Sequence, residues 1–146
     1  MKTAEDIALL APVPLIHLKS GAAMKGRVAF GSLAFELFLK LDQLRGADEV
    51  DVYLYASHAG GNHDPSVSWH ARYVGFVQSV SGLHPNPAHR PESTVTDTPD
   101  SALFWEVEEL RQLDSPIYIG NLKGFGKKKP YGHKFPPHGP VLIEHP

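Results

Sequence analysis

Polar and aromatic side chains are concentrated around one loop of the sequence, between two segments that have the pattern of β-strands. Tyr55, Ser57 and His58 end the first segment, and Trp69 and Arg72 lie early in the second. Hydroxyl, imidazole and guanidinium groups can hydrogen-bond the edge of a planar ligand, and an aromatic ring can stack on its face. Arg72 can also pair with a phosphate or carboxylate. These residue types predict a ligand-binding site at this loop.

Two of the aromatic residues in this region also fit a structural interpretation. Trp69 and Tyr73 lie on one face of the second segment, and large aromatic side chains mostly supply buried area. We therefore favour a core role for this pair over stacking on a ligand.

The histidines of the same loop leave an enzymatic alternative open. His58, His63, Asp64 and His70 could supply the nitrogen and oxygen ligands of a zinc hydrolase. No His-Glu-x-x-His spacing supports this, and we expect neither a metal nor a cofactor. A Ser-His hydrolase is disfavoured, because adjacent residues such as Ser57 and His58 point to opposite faces of a strand. A metal-dependent or acid/base enzyme using the His58–His70 region remains the alternative to a non-catalytic binding module.

The elements that would position this site are predicted from hydrophobic periodicity. Alternation with period two predicts strands over 50–56 and 68–80. An apolar stripe after Gly31-Ser32 predicts a helix over 33–44, with Ser32 as its N-cap and Arg45-Gly46 at its end. Backbone N–H groups at this helix start could bind an anion or the edge of a base. Further strands or extended segments are predicted at 11–18, 27–30, 116–120 and 140–145, with turns at 19–25 and 114–116 and a long surface loop at 82–100. Residues 101–113 fit either a helix or a strand, and we favour a strand through 109.

Length and composition favour one globular domain spanning residues 1–146. The 13 prolines and 13 glycines predict many turns, and the absence of cysteine excludes disulfides and zinc-thiolate sites. No signal peptide and no apolar run of membrane-spanning length is visible, so we expect a cytoplasmic protein without a membrane partner. The oligomeric state is left open.

The charge distribution is uneven along the chain. Residues 1–116 carry nine basic and fifteen acidic side chains, whereas residues 117–146 carry five lysines and one glutamate. A basic segment is either a solvated loop or a contact for a polyanion, and the second reading predicts RNA or DNA as a partner. The lysines that would hold the nucleic-acid backbone are Lys123, Lys127, Lys128, Lys129 and Lys134.

Three local patterns give the chain a resemblance to the PUA-like superfamily, and within it to the EVE and ASCH-like domains. Asp48 precedes a hydrophobic strand that ends in Tyr55-Ala56-Ser57-His58, much as a Gly-Asp pair and a Tyr-His-Ser ending flank a strand in the EVE domain. The segments WHARYVGFVQSV and FWEVEELRQLDSPIYIGNLKG resemble its following strands. The EVE opening segment is replaced here by GRVAFGS, and the ASCH-type Gly-x-Lys-x-x-Glu-x-Arg signature is not present.

The resemblance implies an α+β fold, a small mixed β-barrel (PUA-like pseudobarrel) with one or two helices. It also implies a pocket for a nucleic-acid base, modified or not, between the helix start and the end of the Ser57-His58 strand. The carry-over from the family reaches Gly31, Ser32, Ser57 and His58. From their chemistry we add Phe30, Tyr55, Trp69 and Arg72 as stacking or polar groups. A small-molecule or partner-binding domain on the same barrel is a further alternative.

Overall fold

The computed structural model describes residues 3–58, 64–94, 100–132 and 137–146, which form a mixed α+β fold. A single sheet contains six strands, and two α-helices pack on it. In chain order the elements are β1 (Thr3–Pro14), α1 (Leu15–Ala22), β2 (Val28–Ser32), α2 (Phe35–Arg45), β3 (Glu49–Ser57), β4 (Ser66–Gln78), β5 (Leu103–Tyr118) and β6 (Val141–Glu144). Short 3-10 turns occur at Pro87–His89, Glu92–Thr94 and Ile119–Asn121. No helix within these ranges is long and apolar enough to cross a membrane.

The strand order in the sheet is β2-β5-β4-β3-β1-β6. β1 and β3 are parallel, and the other neighbours are antiparallel. Over the described residues β2 and β6 form the two ends of this order, so the sheet is open. The α+β class is therefore confirmed, whereas closure into a barrel is not observed.

Both faces of the sheet are covered, as alternation along β1 shows. Leu9 and Val13 belong to a large core beneath the helices, where Phe38 of α2 and Leu18 of α1 are also buried. Leu10 faces the opposite side and packs in a smaller core. A strand buried on both faces is expected to be apolar at nearly every position, which accounts for the run IALLAPV in β1.

The sheet is strongly curved. Residues of β1 and β2 line the same cavity, although three strands lie between β1 and β2 in the sheet order. In a flat sheet four strand spacings would place them about 19 Å apart. Helix α1 bridges the opening: a Cβ atom on Gly21 would lie 3.0 Å from side-chain carbons of Val28 in β2 and Leu110 in β5. A glycine at this position lets the helix backbone approach both strands closely.

The first part of the chain differs from its prediction. The predicted strand at 11–18 and turn at 19–25 are replaced by β1, which begins at Thr3, and by α1. β6 pairs only with Ile7–Leu10 of β1, so the edge of β1 that faces β6 is unpaired at Pro12 and Pro14. The missing N–H groups of these two prolines therefore cost no hydrogen bond to β6. Pro14 then precedes the helix as its N-cap.

The strand predicted at 101–109 is confirmed but continues to Tyr118. The predicted turn at 114–116 is instead a bulge within β5. Gln112 pairs with Trp69 and Ile117 with Val67, so the four residues between them lie opposite Ser68 alone.

The remaining elements largely follow the prediction. β2, β3, β4, α2 and β6 occur within a few residues of their predicted bounds. Ser32, the predicted N-cap, closes β2 instead, and the N-cap position is Ala34. The Ser32 hydroxyl still accepts a hydrogen bond from Ala34 N at 3.0 Å, so it satisfies a backbone donor just before the helix. Gly46 follows α2 at φ +61°, as predicted for its end.

Candidate ligand-binding site

A cavity of about 770 Å³ opens between the end of β1, strand β2 and the segment 82–94 that follows β4. Its volume lies in the range of small-molecule and cofactor sites. The walls come from residues that are far apart in the chain and are brought together by the curvature of the sheet. They include Ala11–Pro14, His17, Phe30–Ser32, Leu83, His84, Pro87, Arg90–Glu92, Thr94, Asp100, Ser101, Phe104, Trp105 and Pro140.

Aromatic rings form one side of this cavity. Phe30 of β2 lies opposite Trp105 of β5 in the strand register, and their ring centroids are 5.0 Å apart. Phe104, from the adjacent position of β5, also lines the cavity, and the Arg90 guanidinium lies 4.8 Å from its ring centroid. Each of these three side chains is 4% exposed or less, so the rings reach the cavity surface only in part.

The polar groups at the cavity carry both charge signs. Arg90 supplies a positive charge, Glu92 and Asp100 are exposed carboxylates, and His17 adds an imidazole. Carboxylate oxygens accept hydrogen bonds from amino groups and repel phosphates, whereas a guanidinium does the reverse. The site therefore presents hydrogen-bonding groups of both kinds to the edge of a ligand.

The segment Ser81–Thr94, which we call the cavity loop, is tied to the rest of the fold at several points. Arg90 donates a hydrogen bond to the carbonyl of Ala29 in β2 at 2.7 Å. His17 of α1 and Ser93 form a side-chain hydrogen bond of 2.7 Å, and Ser93 N donates to Ser20 Oγ at 3.2 Å. The loop is thus an ordered wall of the cavity, and its long-loop prediction is confirmed for the described part.

Two histidines of the cavity loop, His84 and His89, contact the buried carboxylate of Glu106 in β5. His84 Nε2 lies 3.2 Å and His89 Nδ1 lies 2.7 Å from the same Glu106 oxygen. Asn86 N donates to His84 Nδ1 at 2.7 Å, and the Asn86 side-chain amide lies 3.4 Å from His89 Nε2. An amide nitrogen can only donate, so each histidine accepts with one nitrogen and donates its single N–H to Glu106. For His84 this is the pattern of the neutral tautomer that carries its proton on Nε2.

Burial supports the neutral form of His84. Desolvation lowers its pKa below the ordinary value of 6.5, and the positive charge of Arg90 adds to this, although the carboxylate of Glu106 acts in the opposite direction. The carboxylate also faces Arg27, whose guanidinium lies 3.8 Å from its second oxygen. The cluster thus contains the carboxylate of Glu106, two imidazoles that face it and a neighbouring cation.

These three residues also have the spacing of a metal-binding set, because their ligand atoms lie within 4.8 Å of one another. A metal would need the lone pairs of His84 Nε2 and His89 Nδ1, but the contacts of Asn86 place protons on these two atoms. Arg27 already compensates the carboxylate. The arrangement fits a hydrogen-bonded cluster better than a cation site.

Three of the residues predicted for ligand binding meet at the cavity: Phe30, Gly31 and Ser32. Gly31 is tightly enclosed, because a Cβ atom there would overlap the hydroxyl of Ser101. This part of β2 brings the backbone close to the segment that enters β5.

The other predicted binding residues do not line this cavity. Trp69 is buried in the large core, as the structural interpretation expects, and Arg72 forms an ion pair of 3.2 Å with Glu109. Tyr55 is fully buried in the smaller core, where its hydroxyl donates to the carbonyl of Pro137. Ser57 ends β3 beside Pro14, which is itself a cavity residue, and His58 is exposed.

The lysines of the basic segment occupy different environments. Lys123 pairs with Glu144 at 3.2 Å, whereas Lys127, Lys128 and Lys129 are exposed in the loop after Gly124. Lys134 lies outside the described residues. The three consecutive lysines are therefore accessible to a polyanion.

Among the described residues, the structure does not bring the predicted metal ligands of the His58–His70 region together as one set. His70 donates from Nε2 to Asp51 at 2.8 Å, and no described ligand group joins His58 to it as a metal-binding set. His63 lies outside the described residues. Asp64 accepts a hydrogen bond from Ser66 N at 2.9 Å, which is a turn contact.

Sequence reasoning did not single out His84, His89, Arg90 or Glu106. One signal was present: Glu106 occupies a strand position between the apolar residues Trp105 and Val107, and it is 5% exposed in the fold. A charged residue that is buried within such a run requires a buried hydrogen-bonding or charged partner. Which residue provides it is decided by the path of the cavity loop.

Neither the known protein-family models nor the curated protein sequences give a match to this chain. The site is therefore interpreted from its own geometry.

Proposed function

We propose that the protein is a non-catalytic binding module that accepts a nucleic-acid base in the cavity beside Phe30, Gly31 and Ser32. The observation that carries the proposal is the cavity itself, which combines an aromatic side with hydrogen-bonding groups of both kinds. A base read outside a helix requires this combination, a surface for stacking and polar groups for its edge.

The proposal includes a PUA-like pseudobarrel as the finer description of the fold. The strong curvature of the sheet and the helix α1 that bridges its opening support this description. The cavity lies between β1 and β2 and includes Gly31 and Ser32 from the helix-start side of the predicted pocket, whereas Ser57 and His58 from its other side do not line it.

The phosphates of the nucleic acid whose base occupies the cavity would contact Lys127, Lys128 and Lys129. These side chains are exposed, and Lys–phosphate contacts position a nucleic acid without reading its sequence. The acidic residues Glu92 and Asp100 at the rim disfavour a phosphate in the cavity and favour a base with an exocyclic amino group.

The test is binding of short single- and double-stranded RNA and DNA, with and without modified bases, at about 50 and 200 mM salt. We expect K127A/K128A/K129A to bind more weakly, with a salt slope shallower by up to about 2–3 units. Phe30→Leu should weaken binding by about 5- to 100-fold without changing the salt slope, because stacking contributes about 1–3 kcal/mol per base.

Phe76→Leu is the control, since Phe76 packs against Phe35 and does not line the cavity. Equal losses in the two leucine variants would indicate a general effect on stability. If the wild type binds none of these nucleic acids at either salt concentration, the nucleic-acid proposal is wrong, and the cavity should be tested for small organic ligands.

A further inference from the structure

We infer that the cavity loop is a proton-sensitive latch, closed while His84 is neutral and released when it takes up a proton. The closed form is the one in which Glu106 accepts two N–H groups from the loop. The consequence for ligand access rests on the proposed function, whereas the latch itself does not depend on the identity of the ligand.

The hydrogen-bond pattern leaves no acceptor for an additional proton on His84. Its Nδ1 receives the backbone N–H of Asn86 at 2.7 Å, and its Nε2–H points at Glu106. A proton added to Nδ1 would face the N–H of Asn86, so the two donors would repel each other.

Charges around the cluster act in both directions. Glu106 on β5 attracts a proton, whereas Arg27 before β2 and Arg90 on the loop oppose it, and Arg27 is itself paired with Glu108 at 3.6 Å. Only 3% of the His84 side chain is exposed, so it would gain its charge without hydration. Opening the loop removes this cost.

The direction of the pH effect follows from proton counting. In the closed loop the pKa of His84 lies below 6.5, and hydration in the open loop returns it toward 6.5. The closed form therefore binds fewer protons and is most favoured above pH 6.5. The free-energy difference that favours the closed loop becomes smaller as the pH drops below 6.5, until His84 is protonated in both forms. Each unit of difference in pKa changes the ratio of open to closed loop by about tenfold.

Opening would remove one wall of the cavity. Leu83, His84, Pro87, Arg90 and Pro91 all line it and belong to the loop. A ligand held in the cavity should consequently bind more weakly at acidic pH than near neutrality.

The experiment is amide hydrogen exchange of the ligand-free protein at about pH 7.5 and pH 5.5, expressed as protection factors. Loop amides that donate in the closed form, such as Leu83, Asn86 and Thr94, report opening. We expect their protection to fall by about three- to tenfold at the lower pH, while β3 amides change little. Nitrogen-15 spectra of the imidazoles should show Nε2–H on His84 and Nδ1–H on His89 at the higher pH.

The variant H84N/H89N keeps the loop without titratable imidazoles. An Asn at position 84 can accept the N–H of residue 86 as in an Asx-turn, so this local contact is retained. We expect its loop protection to differ by less than about twofold between the two pH values. H58N, which changes an exposed histidine outside the cluster, should behave as the wild type does.

Equal loop protection of the wild type at both pH values would overturn the latch, as would an undiminished pH response in H84N/H89N. Stoichiometric Zn²⁺ binding that is lost in H84N/H89N would also overturn it, because the metal would need the lone pairs that here carry protons. Since no nucleic acid is present, these results are independent of whether the base-binding proposal succeeds.

Discussion

At the scale of single residues, Gly31 sets how closely β2 approaches the segment that enters β5. A Cβ atom at this position would overlap Ser101 Oγ and lie 3.1 Å from Ser101 Cβ. We expect Gly31→Ala to lower the free energy of unfolding by about 1–3 kcal/mol, because the added methyl group overpacks the contact. Urea denaturation measures this change.

The variant G31A/S101G tests the stated cause. Removing the Ser101 side chain makes room for the methyl group, so the loss in the double variant should be smaller than the sum of the single losses by about 1 kcal/mol or more. Gly139→Ala is the control, since a Cβ atom there would have no neighbour within 4 Å. Strictly additive losses would contradict the packing argument.

The candidate site shows which residue roles a sequence can reveal. Phe30, Gly31 and Ser32 are contiguous in the sequence just before the predicted helix, and all three line the cavity, whereas their role in binding stays a prediction. His84 and Glu106 are 22 residues apart, and their contact exists only because the cavity loop folds back on β5. Local patterns carry no information on such pairs, so the latch was not predictable.

At the scale of elements, α2 is fixed to the sheet by a buried tyrosine. Tyr73 of β4 donates its hydroxyl to Asp42 of α2 at 2.9 Å, and Arg45 holds the same carboxylate at 2.7 Å while it lies over the tyrosine ring. Desolvation and the charge of Asp42 raise the pKa of Tyr73, so the phenol remains a donor throughout the usual pH range. The contact fixes the rotation of the helix on the sheet.

We expect Tyr73→Phe to lower the free energy of unfolding by about 1–2 kcal/mol, since Asp42 loses a donor but keeps Arg45. Denaturant unfolding of the variant measures the loss. Tyr118→Phe is the comparison: that tyrosine is exposed, and its hydroxyl lies 3.4 Å from the carbonyl of Gly132. If both substitutions cost the same, the hydrogen bond to Asp42 contributes nothing specific.

The elements differ in how well their patterns identify them. β3 and β4 alternate because every second residue packs in the large core, and α2 has a broad apolar stripe and a glycine at its end. α1 has only eight residues and follows two prolines at the end of the apolar run 7–16, so its first residues continue that run and no helical period stands out. The bulge in β5 carries the turn residues Asp114 and Pro116, which local rules assign to a turn.

At the scale of the whole molecule, the cavity is a product of sheet curvature. Its walls belong to β1 and β2, which are close only because the sheet bends and α1 spans the opening. No single segment determines that bend. The α+β class follows from the order of the elements, whereas the cavity and its volume require the assembled sheet.

Asp51 joins three distant parts of the fold on the face opposite α1 and α2. It lies on β3 and accepts hydrogen bonds from His70 of β4 at 2.8 Å and from His145, after β6, at 2.6 Å. Burial alone would raise its pKa, but the hydrogen bonds from His145 and His70 and their charges lower it below the ordinary value of 3.8. The ionised carboxylate is therefore stabilised by folding.

Because the pKa of Asp51 is lowered by folding, its contribution to stability is complete well above pH 3.8 and is lost as the pH falls from 3.8 through the lower folded value. Asp51→Asn should cost about 1–3 kcal/mol near pH 7, since two imidazole donors lose a charged acceptor. Urea unfolding of both proteins between about pH 7 and pH 2 measures the difference, which should shrink toward the acid end. Asp114→Asn, an exposed carboxylate in the β5 bulge, is the control and should show no such trend. A difference between wild type and Asp51→Asn that is constant with pH would mean that size or shape at this position, and not its charge, holds these strands together.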